Sequence, residues 1–352
     1  MGENIFVGIA TWLRGLLSGA GVPDMWNDTI LLVVKLVAIL LFILVNALWL
    51  VYMERRVCAF MQSRLGPIHV GPKGLFQTAA DIGKLLGKEI ILPKGADLLV
   101  FLLMPVVIFI PPLLIFGVLP FGKNMVAIDM NIGVFYLLAI ASLSTIIFWA
   151  AGWASNNKYS LVGGMRSVAQ MVSYELPLIL ALLGVIMITG TLNLNTIVDS
   201  QKSIWFVFTQ PIAFLVYLIA GMAETNRTPF CLVEGESEII AGPYTEYSGM
   251  GFAMFFLAEY ANVMIISAMC TVMFLGGWLA PFGLDFIPSW LWFFLKMYLM
   301  IFVFMWVRWT YPRIRVDQLM GFGWKVLVPL ALANIFVTGV GMYIFRAIGW
   351  WS

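Results

Sequence analysis

Charged residues are scarce in this chain of 352 residues. Only 11% of its residues are Asp, Glu, Lys or Arg, whereas 62% are hydrophobic and the mean hydropathy is +0.97. So little polar surface cannot cover a soluble globule of this size, and the composition therefore predicts a polytopic membrane protein. The net charge of +2 is too small to indicate a nucleic-acid-binding protein.

Metal-ligating and redox-active side chains are also few. The three cysteines, Cys58, Cys231 and Cys270, lie far apart, and His69 is the single histidine. This pattern predicts neither a zinc nor an iron–sulfur site, and we find no P-loop or dinucleotide-binding glycine fingerprint. We therefore expect the chain to hold no cofactor covalently or by metal ligation, and any fixed redox centre to belong to a partner.

Long apolar runs dominate the sequence and have the length that membrane-spanning helices need. They do not alternate in polarity, which favours an all-α membrane protein over a barrel. With short connections between the runs, we predict one polytopic domain over residues 1–352, with an interfacial segment at residues 1–29. The eight predicted spans cover residues 30–52, 98–119, 132–154, 172–192, 204–223, 251–276, 289–311 and 325–346.

Basic residues are sorted between alternate loops. The first loop, residues 53–97, holds seven of the 20 Lys and Arg, and most of the others fall on the same predicted side. The positive-inside rule then places the long loops in the cytoplasm and both termini on the outer side.

Within the first loop, one predicted helical face is apolar, which indicates an amphipathic helix that lies on the membrane surface or against a partner subunit. That face carries Leu75, Ala79, Ile82, Leu86 and Ile90.

Acidic residues are concentrated in one stretch. Six of the 18 acidic residues, all glutamates, lie between positions 224 and 259, in the predicted acidic loop 224–250 and the span that follows it. Carboxylates that begin at a membrane surface and continue into an apolar helix could pass protons. A solvated acidic loop explains the loop glutamates equally well, but not Glu259, which lies inside a span. The six are Glu224, Glu234, Glu236, Glu238, Glu246 and Glu259.

Two further ionisable residues lie within predicted spans. Glu175 stands near the predicted start of the fourth span. Its position is compatible with two roles, a step in a proton relay or a charge–dipole contact with the helix N-terminus. Lys296 lies about two turns into the seventh span, and there the position favours snorkelling to the interface over a functional role.

Several motifs together resemble the quinone-chamber membrane subunit of respiratory complex I, a type that also occurs in related quinone-reducing and hydrogenase complexes. They follow one another in the family's order from residue 54 to residue 320. Among them are Glu54-Arg55-Arg56, residues 61–67, Ser173-Tyr174-Glu175, residues 223–230, Glu234-Gly235-Glu236-Ser237-Glu238, Ala258-Glu259-Tyr260 and Tyr311-Pro312-Arg313.

The resemblance implies a subunit that encloses a quinone site with peripheral iron–sulfur and quinone-site subunits, and that links quinone reduction to proton translocation. Its other implied neighbours are small membrane subunits and antiporter-like pump subunits, in a bacterial inner membrane rather than a mitochondrial one. Quinone would be bound as a substrate. The implied proton-relay residues are Glu175, Glu224, Glu234, Glu236, Glu238, Glu246 and Glu259. The implied quinone-contact residues are Arg55, Arg64, Asp81, Arg227 and Arg308.

Two positions depart from the family's pattern. Ile68-His69 replaces a more polar pair after Gly66-Pro67, and Cys231 stands where the family has Asp after Pro-Phe.

Two other classes of function also remain open from the residues. One is an ion-coupled secondary transporter that uses Glu175 and Glu259, although we find no inverted repeat. The other is a structural membrane anchor for a hydrogenase-like complex.

Overall fold

The computed structural model describes residues 23–123, 125–232, 239–281 and 286–347, together with residues 8, 11, 12, 14, 15, 18 and 19. Within these ranges the regular structure is helical and contains no β-strand, as the all-α prediction requires. The helices are α1 (Asp24–Met61), α2 (Gln77–Leu86), α3 (Leu98–Val107), α4 (Ile110–Val118), α5 (Gly133–Ala154), α6 (Lys158–Thr189), α7 (Leu194–Ser200), α8 (Phe206–Thr209), α9 (Pro211–Glu224), α10 (Gly249–Phe274), α11 (Ser289–Thr310), α12 (Val316–Phe322) and α13 (Val328–Ala347).

Seven helical segments in the described part of the chain are long and apolar enough to cross a membrane. Two of them combine neighbouring helices: α3 with α4, and α12 with α13 through a π-helical turn at Gly323–Leu327. The remaining predicted span, at 204–223, is shorter than expected. Gln210 leaves the helical conformation and Pro211 supplies no backbone N–H, so the segment divides into α8 and the 14-residue α9.

Helix boundaries differ most from prediction at α6. The fourth span was expected to begin near residue 172, but α6 begins at Lys158, where the side chain of Asn157 accepts a hydrogen bond from the Tyr159 backbone N–H. This capping contact starts the helix among polar residues. Gly190, with φ of +65°, ends it in the left-handed conformation that glycine adopts without strain.

Helix α10 lies at the centre of the bundle. Of its most apolar stretch 67% is buried, against 22% for α1 and 22% for the last span. It packs against α1, α4, α9 and α11. Ionisable side chains on α10 are therefore surrounded by protein, whereas α1 and α13 present apolar faces outward.

The first loop does contain a helix, but its apolar face is not buried in this chain. Helix α2 covers only Gln77–Leu86, and Leu75, Leu86 and Ile90 are exposed. Its buried residue is Thr78. Something outside the chain must cover the apolar face if it is to be removed from water.

Candidate functional site

Four side chains from distant parts of the chain form a buried ionic group, called the Glu54 cluster below. Glu54 Oε2 accepts hydrogen bonds from Arg227 Nη1 and from the Tyr260 hydroxyl, both at 2.8 Å, and Oε1 accepts one from Arg308 Nη1. The Arg227 guanidinium lies 4.1 Å from the centroid of the Tyr260 ring. Glu54 is 5% exposed and Arg227 is 7% exposed.

The Glu54 cluster carries one carboxylate and two guanidinium groups. Burial lowers the pKa of Arg227, but Glu54, Tyr260 and Glu259 together raise it by more, so that the pKa lies above its ordinary value and Arg227 stays cationic. Its Nε and Nη2 are buried and, among the described residues, have no hydrogen-bond partner. The excess positive charge makes the cluster sensitive to any negative charge that forms nearby.

Arg55 and Asp81, two of the residues expected to contact quinone, are brought together. Arg55 Nη1 lies 2.6 Å from Asp81 Oδ2, which links the end of α1 to α2. Gln77 donates a hydrogen bond to the other carboxylate oxygen, Asp81 Oδ1, at 3.2 Å. Since Glu54 immediately precedes Arg55, this pair and the Glu54 cluster share one turn of α1.

Arg64 is held locally at the end of α1. Its Nε donates to Gln62 Oε1 at 2.6 Å, and its Nη2 lies 3.6 Å from Cys58 Sγ. It lines an open groove of about 810 Å³ with Phe302 and Trp306 of α11. Its hydrogen bonds are therefore separate from those of Arg55, Arg227 and Arg308.

Glu259 and Tyr260 give α10 two adjacent polar contacts. Glu259 is 6% exposed and accepts a hydrogen bond from the Tyr244 hydroxyl at 2.8 Å, while Tyr260 donates to Glu54. The buried Glu259 predicted from the sequence thus has a partner in the turn that precedes α10. A displacement of this helix would change both contacts together.

Glu175 lies well inside α6, which overturns the alternative of a charge–dipole contact at the helix start. That interaction decays within the first turn, and α6 begins at Lys158. Instead, Glu175 Oε1 accepts a hydrogen bond from the Ser142 hydroxyl of α5.

Glu224 ends α9 beside a cavity of about 20 Å³, which has room for roughly one water molecule. Ser144, Thr225 and Asn262 supply the other polar atoms of its lining. Glu224 Oε2 is buried and has no hydrogen-bond partner in the described ranges. Glu224 also interacts electrostatically with Glu175, so the two carboxylates belong to one polar region.

Glu246 is bound at the N-terminus of α6. Its Oε1 accepts a hydrogen bond from Asn157 Nδ2 at 2.5 Å, and Asn157 also caps that helix. The next residue, Tyr247, stacks on Phe101 at 4.2 Å, and burial raises its pKa above the ordinary value. The other predicted loop glutamates, Glu234, Glu236 and Glu238, lie outside the described residues.

Lys296 does not snorkel to the interface as expected. It is 6% exposed, and its Nζ donates to the carbonyl oxygens of Leu275 and Leu279 at 2.7 Å and of Gly277 at 3.1 Å. It also lies 4.3 Å from the Trp205 ring centroid. The side-chain amine of Lys296 therefore stabilises the turn that follows α10, where these three carbonyl oxygens converge.

The prediction of site residues missed Glu54, Tyr244 and Tyr260. Glu54 stands at the end of the first apolar run, where a topological charge is ordinary, and the two tyrosines resemble interfacial aromatics. The available signal was that Glu54 and Tyr260 both belong to the motifs that carry the family resemblance. Their pairing could not be found in the sequence because 206 residues separate them.

Comparisons with known proteins agree on one family. The family model described as NADH dehydrogenase matches residues 34–339. The H-type subunit of NADH-quinone oxidoreductase from Carboxydothermus hydrogenoformans is 57% identical over 350 residues, which cover 99% of this chain and 100% of the relative. The protein of the same name from Bacillus cytotoxicus is 52% identical over 82% of this chain and 86% of its own length.

These matches extend over both ends of the Glu54 cluster and all the helices that position it. They confirm the resemblance drawn from the motifs and favour a respiratory subunit over a stand-alone transporter. The chain belongs to the family of H-type membrane subunits of NADH-quinone oxidoreductase.

Proposed function

We propose that this chain forms the membrane side of the quinone-binding chamber of a proton-pumping NADH:quinone oxidoreductase and transmits charge changes at quinone to a series of buried glutamates. Relatives at 57% and 52% identity are named as the H-type subunit of an NADH-quinone oxidoreductase. The observation that supports the proposal best is the Glu54 cluster, because it lies next to the Arg55–Asp81 pair and holds more positive than negative charge.

The quinone contact would involve Arg55, Asp81, Arg227 and Arg308, with Arg64 further along the path from the membrane. Quinone reduction adds electrons and takes up protons, so negative charge develops transiently at the bound headgroup. Guanidinium groups stabilise such charge through charge-assisted hydrogen bonds. Two nitrogens of Arg227, Nε and Nη2, have no hydrogen-bond partner among the described residues. We therefore expect this guanidinium to respond most strongly to negative charge on the quinone headgroup.

Transmission would proceed along α10. Tyr260 contacts Glu54 and its neighbour Glu259 contacts Tyr244, so a change in charge at the cluster would reach the hydrogen bond of Glu259 through two adjacent residues. Glu224 and Glu175 continue the polar region, with the cavity between Ser144 and Asn262 as a place for bridging water. Glu234, Glu236, Glu238 and Glu246 would form the acidic entrance to this relay.

The finer features of the fold follow from the same proposal. The segment α8–α9 would complete eight membrane crossings, with both termini on the outer side of a bacterial inner membrane. The exposed apolar face of α2 would lie on the membrane surface or against a peripheral subunit. Peripheral iron–sulfur and quinone-site subunits would dock on the basic first loop, and pump subunits beside the glutamates.

Substitution at the Arg55–Asp81 pair tests the quinone contact. In the assembled complex, Arg55→Ala and Asp81→Asn should raise the KM for quinone or weaken inhibitor binding roughly tenfold, the effect of losing about one strong interaction. Lys84→Ala is a matched control, since Lys84 is exposed on the same helix as Asp81. Equal, small effects at all three positions would show that the first-loop charges only set the topology.

A further inference from the structure

The open groove beside α1 has an apolar floor and a basic rim. Its apolar lining includes Phe60, which is 87% exposed, and Trp306 of α11, which is 54% exposed. Both helices are among the seven that can cross a membrane. The volume of about 810 Å³ lies within the range of small-molecule pockets. The floor of the groove is therefore continuous with the apolar sides of two membrane helices.

Two arginines form the rim, and the chain holds each of them in place with neutral groups. Arg56 donates to the Lys73 carbonyl oxygen at 2.6 Å and to the Tyr52 hydroxyl at 3.1 Å. Gly66 packs closely beside it, since a Cβ at that position would lie 3.1 Å from Arg56 Cδ. Arg64 contacts Gln62 and Cys58. Neither guanidinium has a carboxylate within ion-pair distance in the described part of the chain.

The turn after α1 brings the second arginine back to the groove. Backbone bonds from Arg64 N to Ala59 O at 2.9 Å and from Ser63 N to Phe60 O at 3.1 Å fold the chain over the helix end. Ser63 takes a left-handed conformation there, with φ of +53°. Two fixed and uncompensated positive charges therefore stand above an apolar surface at one end of the membrane-spanning helices.

We propose that this groove binds an anionic phospholipid, with its phosphate between Arg56 and Arg64 and an acyl chain against Phe60, Phe302 and Trp306. Guanidinium groups recognise phosphate through paired, charge-assisted hydrogen bonds. Quinone fits the apolar floor but is uncharged in its oxidised form, so it gives no counter-charge to the rim. The site shares Arg64 with the proposed quinone path, but it includes neither the Glu54 cluster nor the Arg55–Asp81 pair.

Photolabelling in the assembled complex tests this site. The complex is placed in phosphatidylcholine nanodiscs that contain a minor fraction of a diazirine-bearing lipid, either phosphatidylglycerol or phosphatidylcholine, and labelled peptides are mapped by mass spectrometry. Labelling of residues 57–66 and 302–306 should be at least about fivefold greater with phosphatidylglycerol, roughly the factor that one arginine near an anionic lipid supplies. In the double variant Arg56→Gln, Arg64→Gln this preference should disappear.

Matched variants separate the site from a general effect of charge. Arg313→Gln, Arg315→Gln removes two exposed arginines outside the groove and should keep the preference, as should Arg56→Lys, Arg64→Lys, which retains the charge. Equal labelling by the two lipids in the wild-type complex would overturn the proposal. The proposal would also be overturned if a photoactivatable quinone displaced phosphatidylglycerol from the groove. The same holds if no lipid labelled the groove peptides because another subunit covers them.

Discussion

A single carboxylate compensates two guanidinium groups in the Glu54 cluster. Because all three groups are largely removed from water, each depends on the others for hydrogen bonds that water would otherwise provide. Removal of one partner from a buried ionic group costs about 3 to 5 kcal/mol, since the charges that remain lose their compensation. The cluster is therefore the point in this chain where one side-chain change should have its largest effect on stability.

Glu54→Gln tests this expectation. The substitution removes the carboxylate that pairs with buried Arg227 and half-buried Arg308, and should lower the free energy of unfolding by about 3 to 5 kcal/mol. The readouts are the abundance of assembled complex in membranes and its thermal unfolding in detergent.

Asp28→Asn is the matched control for that substitution. Its partner is Arg14 at 2.9 Å, and both side chains are more than 60% exposed. Exposed pairs contribute about 0 to 1 kcal/mol, so this variant should resemble the wild type. Similar unfolding temperatures for Glu54→Gln and Asp28→Asn would show that the cluster is not a source of stability.

Glu259→Gln separates proton transfer from packing. Glutamine keeps the size of the side chain and can still accept the hydrogen bond from Tyr244, but it cannot take up or release a proton. Coupled turnover and proton pumping should fall at least about tenfold, with the abundance of complex nearly unchanged.

Two further variants accompany Glu259→Gln. Glu175→Gln should also lower coupled turnover and proton pumping, but by less than Glu259→Gln, because Glu175 is less buried than Glu259. Tyr244→Phe removes the hydroxyl that donates to Glu259 but keeps the carboxylate of Glu259, so proton pumping should remain measurable. A wild-type ratio of protons to electrons in Glu259→Gln would assign its carboxylate to packing.

The sequence and its family resemblance predict Glu259, Arg227 and Arg308 as site residues, but they do not predict the groups that these residues contact. An acidic residue inside an apolar run has a strong local signal, whereas a pairing depends on how distant helices meet. Glu54 lies 173 residues from Arg227 and 254 residues from Arg308. No local pattern records contacts over such separations.

At the level of elements, close backbone contact holds α6 against the turn before α10. A Cβ at Gly163 would lie 2.5 Å from Gly242 Cα and 2.8 Å from Gly242 C, distances that side chains do not reach. Ser160 donates to the Pro243 carbonyl oxygen in the same contact, at 3.1 Å. This packing positions Tyr244, the partner of Glu259.

Gly163→Ala should therefore separate α6 from this turn. We expect a loss of about 1 to 3 kcal/mol in stability from overpacking, accompanied by reduced proton pumping as Tyr244 moves. Thermal unfolding and pumping assays on the assembled complex measure the two effects.

Gly83→Ala is the control for a glycine on a helix. A Cβ there would meet nothing within 4 Å, and alanine favours the helical conformation by about 0.5 to 1 kcal/mol. Its stability should therefore be equal to the wild type or higher. Equal stability of Gly163→Ala and the wild type would mean that the turn can move without cost.

The apolar runs predicted where the membrane spans lie better than they predicted the residues at which the helices begin and end. The runs mark where helices are apolar, but α6 extends into polar sequence before its predicted start, and α8 and α9 are separate because of the conformation at Gln210. Capping and proline effects depend on one or two residues, so they contribute little to an average over a window of about 20 residues.

At the scale of the whole molecule, the chain presents many apolar side chains outward and few groups with redox chemistry. In the described residues no three His, Cys, Asp or Glu side chains are placed to hold a metal ion. The family to which the chain belongs is named for a multi-subunit oxidoreductase. Its relatives are named as one subunit of that enzyme, so other subunits complete the complex.

The isolated chain should accordingly show no visible redox absorbance and no reduction of quinone by NADH. Reconstitution with the peripheral subunits of the complex should restore the activity, measured as NADH oxidation with quinone as acceptor. Turnover by the purified single chain would contradict the assignment of the electron-transfer centres to its partners.

The Glu54 cluster also places a condition on how the chain is synthesised and inserted. Glu54 leaves the ribosome early, its first cationic partner Arg227 follows much later, and Arg308 comes near the end of the chain. Until the translocon has received α11, the cluster cannot close, so the early helices must be inserted with Glu54 still hydrated at the membrane surface. Final closure of the bundle is thus a late step of biogenesis, and a nascent chain that stops before Arg308 should be recognised by membrane quality-control proteases.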